Sequence, residues 1–544
     1  MRTDRIGRKV KEYLCPSSIR NSMFNVWRVC CICLFLQKSF ACIGKIKLFL
    51  TEIKHINFIF LRDFYREPKI VQPMIIRTIF LTLITLLIFF FNQSCKTVDG
   101  SGSDSSDLWL TTADKTALLE EIEDRVKEAN ADSEYPTIEV NTENTFQTID
   151  GFGYSLTGGS ALLINNMSES AREELLQELF GRGEGQIGVS YLRVSIGASD
   201  LDPYTFSYND LPPGETDENM EQFSLNADRE NLIPVLKEIL EISPELKIMG
   251  SPWSPPTWMK TNKNTIGGSL MPEYYDAYAL YFVKYIQGMA KEGIPIDAVT
   301  VQNEPHHDGN NPSLYMTAGD QAEFVKNHLG PSFEDAEIET KIIIWDHNAD
   351  NPEYPISILN DPEANKYIDG SAFHLYAGDI SALSKVHNAH PDKNLYFTEQ
   401  WIGAPANFGP DLAWHLSNVI IGSTRNWSKN ALEWNLAADP NQDPHTDGGC
   451  DRCLGALTID GDQITRNPAY YIIAHASKFV LPGAQRIESN IPVGLPNVAF
   501  ENDDGQIVII ILNDSDSTKE LIISVDGETK KLTLFGGSVA TVVW

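Results

Sequence analysis

Two hydrophobic rhythms alternate along most of the chain. Short apolar runs of strand type fall at residues 151–155, 188–196, 246–250, 298–302, 341–345, 371–375, 394–398 and 431–436. Segments with apolar residues three and four apart lie between them. Ser168 is placed to cap a helix carrying Leu175, Leu176, Leu179 and Phe180, which Gly181 ends. Residues 228–242 carry Leu232, Leu236, Ile239 and Leu240. Pro272 opens a third helix with Tyr275, Ala279, Phe282, Ile286 and Met289, stopping near Gly293. Continuous apolar strands alternating with amphipathic helices predict a parallel sheet buried on both faces. Eight such units predict an α/β fold, a (β/α)8 TIM barrel over residues 150–479. The alternative, an open doubly wound sheet, would carry a Gly-rich phosphate-binding turn, which these connections lack.

From about residue 480 the helical rhythm stops. Residues 498–500, 506–512, 520–525, 530–534 and 538–544 read as strands, and Asp503-Asp504-Gly505 and Asp526-Gly527 as turns between them. They predict an appended antiparallel β-sandwich over 480–544. Strands at 108–112 and 137–149 are expected to join it, because the chain must begin outside the barrel. Residues 114–130, with Leu118, Leu119, Ile122 and Val126, are expected to form a helix within this 108–149 segment.

Charge separates the N-terminus from the rest. The 544-residue chain has a formal charge of −31. Residues 1–73 nevertheless hold 14 Lys+Arg against 5 Asp+Glu, whereas the chain from Cys95 onward holds 28 against 69. So acidic a body excludes nucleic acid or an anionic membrane surface as its main partner. Residues 74–95 place Arg77 before an uncharged run from Thr78 to Phe91, then Cys95 and a polar Gly/Ser/Asp linker over 96–107. This is the layout of a secretory signal. A run this short falls below the roughly 20 residues a spanning helix needs, although a membrane anchor is the alternative. Ser94-Cys95 resembles a lipoprotein processing site, with Cys95 as the lipidated residue; Asn92 departs from the usual aliphatic position. The expectation is an exported, lipid-anchored protein at the outer membrane or cell surface, touching membrane only through this segment. Met74 is a natural start, and residues 1–73, which hold five of the eight cysteines, read as upstream extension.

The chemistry-bearing residues stand at the predicted strand ends, where barrels of this kind place reacting groups. Strand two ends at Arg193 and leads to Asp200. Strand three runs into Trp253, and strand four into Asn303 and Glu304. Strand five ends in Trp345-Asp346-His347 and strand six in His374-Leu375-Tyr376. Strand seven ends in Glu399-Gln400-Trp401 and strand eight in Glu433-Trp434-Asn435. Two carboxylates ringed by Trp, Tyr, Asn and His suit cleavage of a sugar acetal. One carboxyl, held neutral, protonates the leaving oxygen; the other, held ionised, faces the positive charge developing at the anomeric carbon. Aromatic faces take sugar C–H surfaces, and Asn, Asp and Arg take hydroxyls. His306 and His307 follow the first carboxylate and suit either the leaving-group side or a surface loop.

The motifs Asp150-Gly-Phe-Gly, Tyr191-Leu-Arg-Val, Ser251-Pro-Trp-Ser-Pro-Pro-Thr-Trp-Met-Lys, Val301-Gln-Asn-Glu-Pro, Phe397-Thr-Glu, Trp434-Asn-Leu-Ala and Tyr470-Tyr with His475-Ala-Ser-Lys-Phe occur in that order. Together they resemble glycoside hydrolase family 30, the family of lysosomal glucosylceramidase. The resemblance implies a retaining mechanism with Glu304 as general acid/base and Glu399 as nucleophile. It implies Asp200, Trp253, Asn303, Trp401, Trp434 and Asn435 around the sugar, with Arg193, His374 and Tyr376 supporting the nucleophile. Glu304 is expected to have a raised pKa and Glu399 to stay ionised. Trp401, Leu375 and the 440–453 loop depart from the lysosomal enzyme, and the Trp-Leu-Thr-Thr-x-Asp stretch at 109–114 and the Gly-Gly-Cys-x-x-Cys element of that loop look more like bacterial members associated with β-1,6-glucan. The expected substrate is therefore β-1,6-linked glucan. Glucosylceramide, xylan or another β-glycoside are the alternatives, and a glycan-binding lipoprotein without catalysis the non-enzymatic one. No cofactor is implied, because acid/base and nucleophilic catalysis need none. Cys450 and Cys453 have no second pair at zinc-ribbon spacing, so a local disulfide is expected there and no metal, even with His445 nearby.

Overall fold

The computed structural model describes residues 107–122, 126–128 and 134–544. The signal segment, Cys95 and the upstream extension lie outside them.

Eight parallel strands close into a barrel. Numbered in chain order within it, they are β1 (Gly151–Ser155), β2 (Tyr191–Ser195), β3 (Lys247–Ser251), β4 (Ala298–Thr300), β5 (Lys341–Ala349), β6 (Ile368–Gly378), β7 (Asn394–Glu399) and β8 (Ser428–Asn435). β8 pairs with β1 to seal the ring. The predicted helices are present, trimmed at their starts. The second runs Leu232–Ile242, and the third begins as a 3-10 turn at Pro272–Tyr274 before Tyr275–Lys291. Ser168 precedes the helix Glu169–Phe180 without a side-chain capping bond.

The barrel interior is layered. Tyr191, Met249, Ala298, Ile343, Ala372, Tyr396 and Leu432 form an apolar plug across seven strands. Side chains repeat on one face every second residue. The next inward position on six of those strands is therefore Arg193, Ser251, Thr300, His374, Thr398 and Trp434. The plug ends where a polar layer begins, and that layer is the floor of the site.

The second domain is a ten-stranded sheet whose core includes Ile138, Ile487, Ile509, Leu521, Leu532 and Val542. Asp107–Thr111 pairs with the last strand, Val539–Val543, and Thr137–Thr148 lies between Gln485–Ser489 and Lys519–Val525. The early strands thus join the C-terminal sheet as expected. Three details differ from the expectation. The Thr137–Thr148 and Lys519–Val525 pair is parallel, and Gln485–Ser489 is an additional strand. The helix expected over 114–130 is not found among the described residues: Leu118–Glu121 and Lys127–Glu128 are strands. Asp114 accepts hydrogen bonds from the Thr116 backbone N–H and hydroxyl, turning the chain so that Leu118–Glu121 pairs back on Asp107–Thr111. Turn chemistry and sheet pairing override the helical spacing.

His475, on the helix Pro468–Ser477, joins the two domains. Its Nδ1 lies 2.9 Å from the Thr541 hydroxyl and its Nε2 2.8 Å from the Thr111 hydroxyl. The Thr541 hydroxyl donates to the His475 carbonyl, so it accepts from Nδ1–H. Burial pushes this imidazole down to about 3. A histidine neutral when folded and protonated when unfolded stabilises above its ordinary value near 6.5 and loses that stability as pH falls toward 3. The loss should reach about 3 kcal/mol by pH 4. Thermal melting between pH 7 and 4 checks this: His475→Gln should melt lower at pH 7 but lose less on acidification. Equal acid slopes for both proteins would contradict it.

Candidate active site

The polar layer converges on Asp346. Its Oδ2 accepts from Arg193 Nη2 at 2.9 Å, from the Ser251 hydroxyl at 2.7 Å and from the Thr300 hydroxyl at 2.7 Å. Its Oδ1 accepts from the Thr398 hydroxyl at 2.6 Å and faces His374 Nε2 at 3.2 Å. One fully buried carboxylate thereby ties five other strands of the barrel to β5. Burial pushes Asp346 up, but Arg193 and His374 outweigh it and hold it well below the carboxylate range.

Simple alternation along β5 would turn Trp345 inward and Asp346 outward. The strand breaks that rule. Trp345 and Asp346 both adopt positive φ, 71° and 61°, and the register against β6 shifts there. The irregularity rotates Asp346 into the barrel, as bulges near active sites do.

Arg193 is the second organiser. It is fully buried and stretches along the floor. Nη1 donates to Glu399 Oε2 at 2.7 Å, and Nη2 donates to Asn303 Oδ1 at 2.6 Å as well as to Asp346. Its guanidinium lies 4.7 Å from the Trp253 ring and 5.7 Å from the Trp434 ring, which sit 5.5 Å apart. The Tyr376 hydroxyl donates to Glu399 Oε1 at 2.9 Å. Both oxygens of Glu399 are therefore pinned.

Glu304 stands opposite. Its φ of 46° lies in the left-handed region, which costs a non-glycine residue about 1–2 kcal/mol. Its N–H donates to the Asp346 carbonyl at 3.0 Å, which holds that conformation. Glu304 Oε1 lies 3.1 Å from His374 Nδ1, and the same nitrogen is 3.8 Å from Glu399 Oε1. His347 Nδ1 lies 3.5 Å from Glu304 Oε1. A single imidazole nitrogen reaches both carboxylates.

The electrostatics differ from the expectation. Burial pushes Glu304 up, but the facing imidazoles of His347 and His374 reverse the effect and hold it well below the carboxylate range. Burial raises Glu399; His374 and Arg193 pull it back, while Glu304 and Asp346 add to the rise, and the net direction is up. His374 is pushed down by burial and more strongly up by Glu399, Asp346 and Glu304, to about 9. The proton expected on Glu304 thus resides on His374, one hydrogen bond away. Asp200 is pushed up to about 7 by burial and by the Glu399 charge.

The walls come from the loops. Trp253, Trp434, Leu201 and Cys453 form one cluster, with Trp401 and Cys450 against it. Cys450 and Cys453 are joined by a disulfide. Ala404 N–H donates to the Arg452 carbonyl and Leu454 N–H to Ile402, so this turn is laced to the segment after Glu399. Thr446 N–H donates to the Asp200 carbonyl at 2.8 Å. His306 stacks on Tyr315, and His307 is exposed.

Most residues singled out at the strand ends are therefore together. The Asn435 amide nitrogen faces inward to the loop, donating to the Ala437 and Cys453 carbonyls at 3.3 and 3.4 Å. It fixes the start of the disulfide loop. Asp346 and His347 were visible at a strand end but carry more of the geometry than their sequence context implied.

A parallel barrel with paired buried carboxylates at the C-terminal ends of two strands defines a glycosidase-type centre. A profile of the glycosyl hydrolase family 30 TIM-barrel domain matches residues 149–480, and one of the family 30 beta sandwich domain matches 483–542. The chain belongs to glycoside hydrolase family 30. It is 34% identical over 433 residues to an endo-1,6-beta-D-glucanase of Neurospora crassa, covering 75% of this chain and 87% of that one. It is 29% identical to the lysosomal acid glucosylceramidase of Mus musculus, covering 70% and 78%. A solved endo-beta1,6-glucanase superposes with a TM-score of 0.74 at 36% identity, covering 81% of this chain and 99% of that one.

Proposed function

We propose that this glycoside hydrolase cleaves β-1,6-linked glucan within the chain by double displacement. The observation that carries the mechanism is the pair Glu304 and Glu399 sharing one nitrogen of His374. Two carboxyls within reach of one imidazole nitrogen are compatible with the retaining geometry of about 5–5.5 Å. The substrate rests on the relatives: the fungal and solved endo-β-1,6-glucanases exceed the mouse glucosylceramidase in identity.

In the first step a Glu399 oxygen bonds to the anomeric carbon as the glycosidic C–O bond breaks. Glu304 takes the proton from His374 Nδ1 and passes it to the departing oxygen, so it enters the second step ionised; His374 recovers its proton from Glu304 at the end of the cycle. In the second step Glu304 takes a proton from water as that water's oxygen bonds the anomeric carbon and displaces Glu399. Arg193 and Tyr376 hold the nucleophile, Asn303 is oriented by Arg193, and Asp200, Trp253, Trp401 and Trp434 border the sugar.

The Glu304–His374 pair titrates as one unit. With His374 raised to about 9, the working proton is present below that pH and lost above it. kcat/KM should therefore fall about tenfold per pH unit above roughly pH 9. A pH–rate profile checks this; a basic limb below pH 6 would contradict it.

Incubating the purified chain with β-1,6-glucan and, separately, with detergent-dispersed glucosylceramide tests the substrate. Gentio-oligosaccharides are expected. Ceramide release without glucan cleavage would overturn the reading. We also place the protein outside the cytoplasm, anchored through Cys95. The disulfide accords with an oxidising compartment. Mass spectrometry of the mature N-terminus should find lipid on Cys95, and none after Cys95→Ser.

A further inference from the structure

The mechanism passes its proton through one imidazole nitrogen of His374 and gives His347 no part in that transfer. His347 is buried, on β5, and its Nδ1 has no hydrogen-bond partner. That nitrogen faces Glu304 Oε1 at 3.5 Å, while His374 Nδ1 faces the same oxygen at 3.1 Å. The donor atoms of Glu304, His347 and His374 all lie within 4.8 Å of one another. We propose that these three residues bind a divalent transition-metal ion of the zinc, nickel or copper class, and that the bound ion reversibly blocks hydrolysis.

The donor set is two imidazoles and one carboxylate, which suits zinc and its neighbours and not magnesium or calcium. In tetrahedral zinc, with bonds of about 2.0–2.1 Å, ligand atoms stand about 3.3 Å apart. The two spacings to Glu304 already bracket that value. The imidazoles cross at 85°, with ring centres 6.3 Å apart. The far nitrogen of His374 rests on Asp346 Oδ1 at 3.2 Å. A carboxylate behind a histidine ligand fixes the ring and strengthens its donor atom. Here that carboxylate is itself held by Arg193 and three hydroxyls. The ligands stand on or just beyond three adjacent barrel strands, β4, β5 and β6, so the site needs little ordering on binding. Binding releases to solvent the proton that His374 Nδ1 otherwise holds, after which Glu304, Glu399 and Asp346 face only the Arg193 guanidinium and the dication. Three protein ligands leave a fourth position for water or a sugar hydroxyl.

The blocking arm rests on Glu304 being the acid/base, because a metal-held carboxylate cannot carry the working proton. The binding arm does not. The test uses the untagged full chain with Zn2+ and Co2+ in a metal buffer. One equivalent of Co2+ should give the intense visible absorption of a tetrahedral ion, removed by Zn2+. Zn2+ should lower hydrolysis at least tenfold, and a chelator should restore it. His347→Gln, checked for folding by circular dichroism, should require at least about tenfold more Zn2+ for the same fractional loss. His347→Cys, which restores a ligand atom, should remain zinc-sensitive and covers the case in which the glutamine variant does not fold. No cobalt band, or zinc inhibition undiminished in a folded His347→Gln, would overturn the site. A cobalt band lost in that variant, with hydrolysis by the metal-loaded parent unchanged, would uphold the site and remove Glu304 from its assigned role.

Discussion

Replacing Glu399 with Gln is expected to lower kcat/KM on β-1,6-glucan by about 10⁴-fold or more while leaving the fold intact. The amide keeps the volume; its oxygen can still accept from Arg193 Nη1 and its NH2 can donate to the Tyr376 hydroxyl, which lie 2.7 and 2.9 Å from the native oxygens. Arg193 retains Asp346 and Asn303, so the substitution does not strand its buried charge. What disappears is the anion at the anomeric carbon and the covalent intermediate it forms. Substrate should still bind, because the aromatic walls from Trp253, Trp434 and Trp401 are untouched. Hydrolysis rates with a parallel binding measurement check this. Turnover within tenfold of the parent would remove Glu399 from the mechanism.

Replacing Glu304 with Ala should produce a loss that depends on the leaving group. On glucan, whose leaving alkoxide needs a proton, the fall should be about 10²–10⁴-fold. Aryl β-gentiobiosides with acidic phenols need no proton to depart, so their glycosylation step should suffer far less. The second step, which needs a base to activate water, should then limit turnover. Azide, a nucleophile that needs no base, should restore it and yield a β-glycosyl azide. Equal losses across all leaving groups would mean that Glu304 acts in binding or folding instead.

The barrel was legible because each strand is an apolar run with a polar or aromatic residue just past its end. The two-residue period then fixed which residues face inward, and Arg193, His374 and Trp434 lie one inward step above the apolar plug. Asp346 was not legible as the hub, because a backbone irregularity at Trp345-Asp346 reverses the inward order on β5. No hydrophobic pattern records such a reversal. The helix expected over 114–130 failed for the opposite reason: its spacing was helical, but the Asp114 turn and the waiting edge of Asp107–Thr111 made a hairpin the better use of those residues. The contacts of the Asn435 amide nitrogen with the Ala437 and Cys453 carbonyls were not legible either, because only the folded loop brings those carbonyls near. The charge assignment also needed three dimensions. Sequence places Glu304 near histidines only at His306 and His307, whereas the two that control it, His347 and His374, come from the next two strands.

The anomeric configuration of the first-formed product tests the central claim most directly. Proton NMR at the start of β-1,6-glucan hydrolysis should show new reducing ends appearing as the β anomer, with the α anomer growing in only by later mutarotation. That is the result of two displacements through Glu399. Reducing ends that appear first as the α anomer would mean a single displacement by water, and would contradict the roles assigned to both carboxylates.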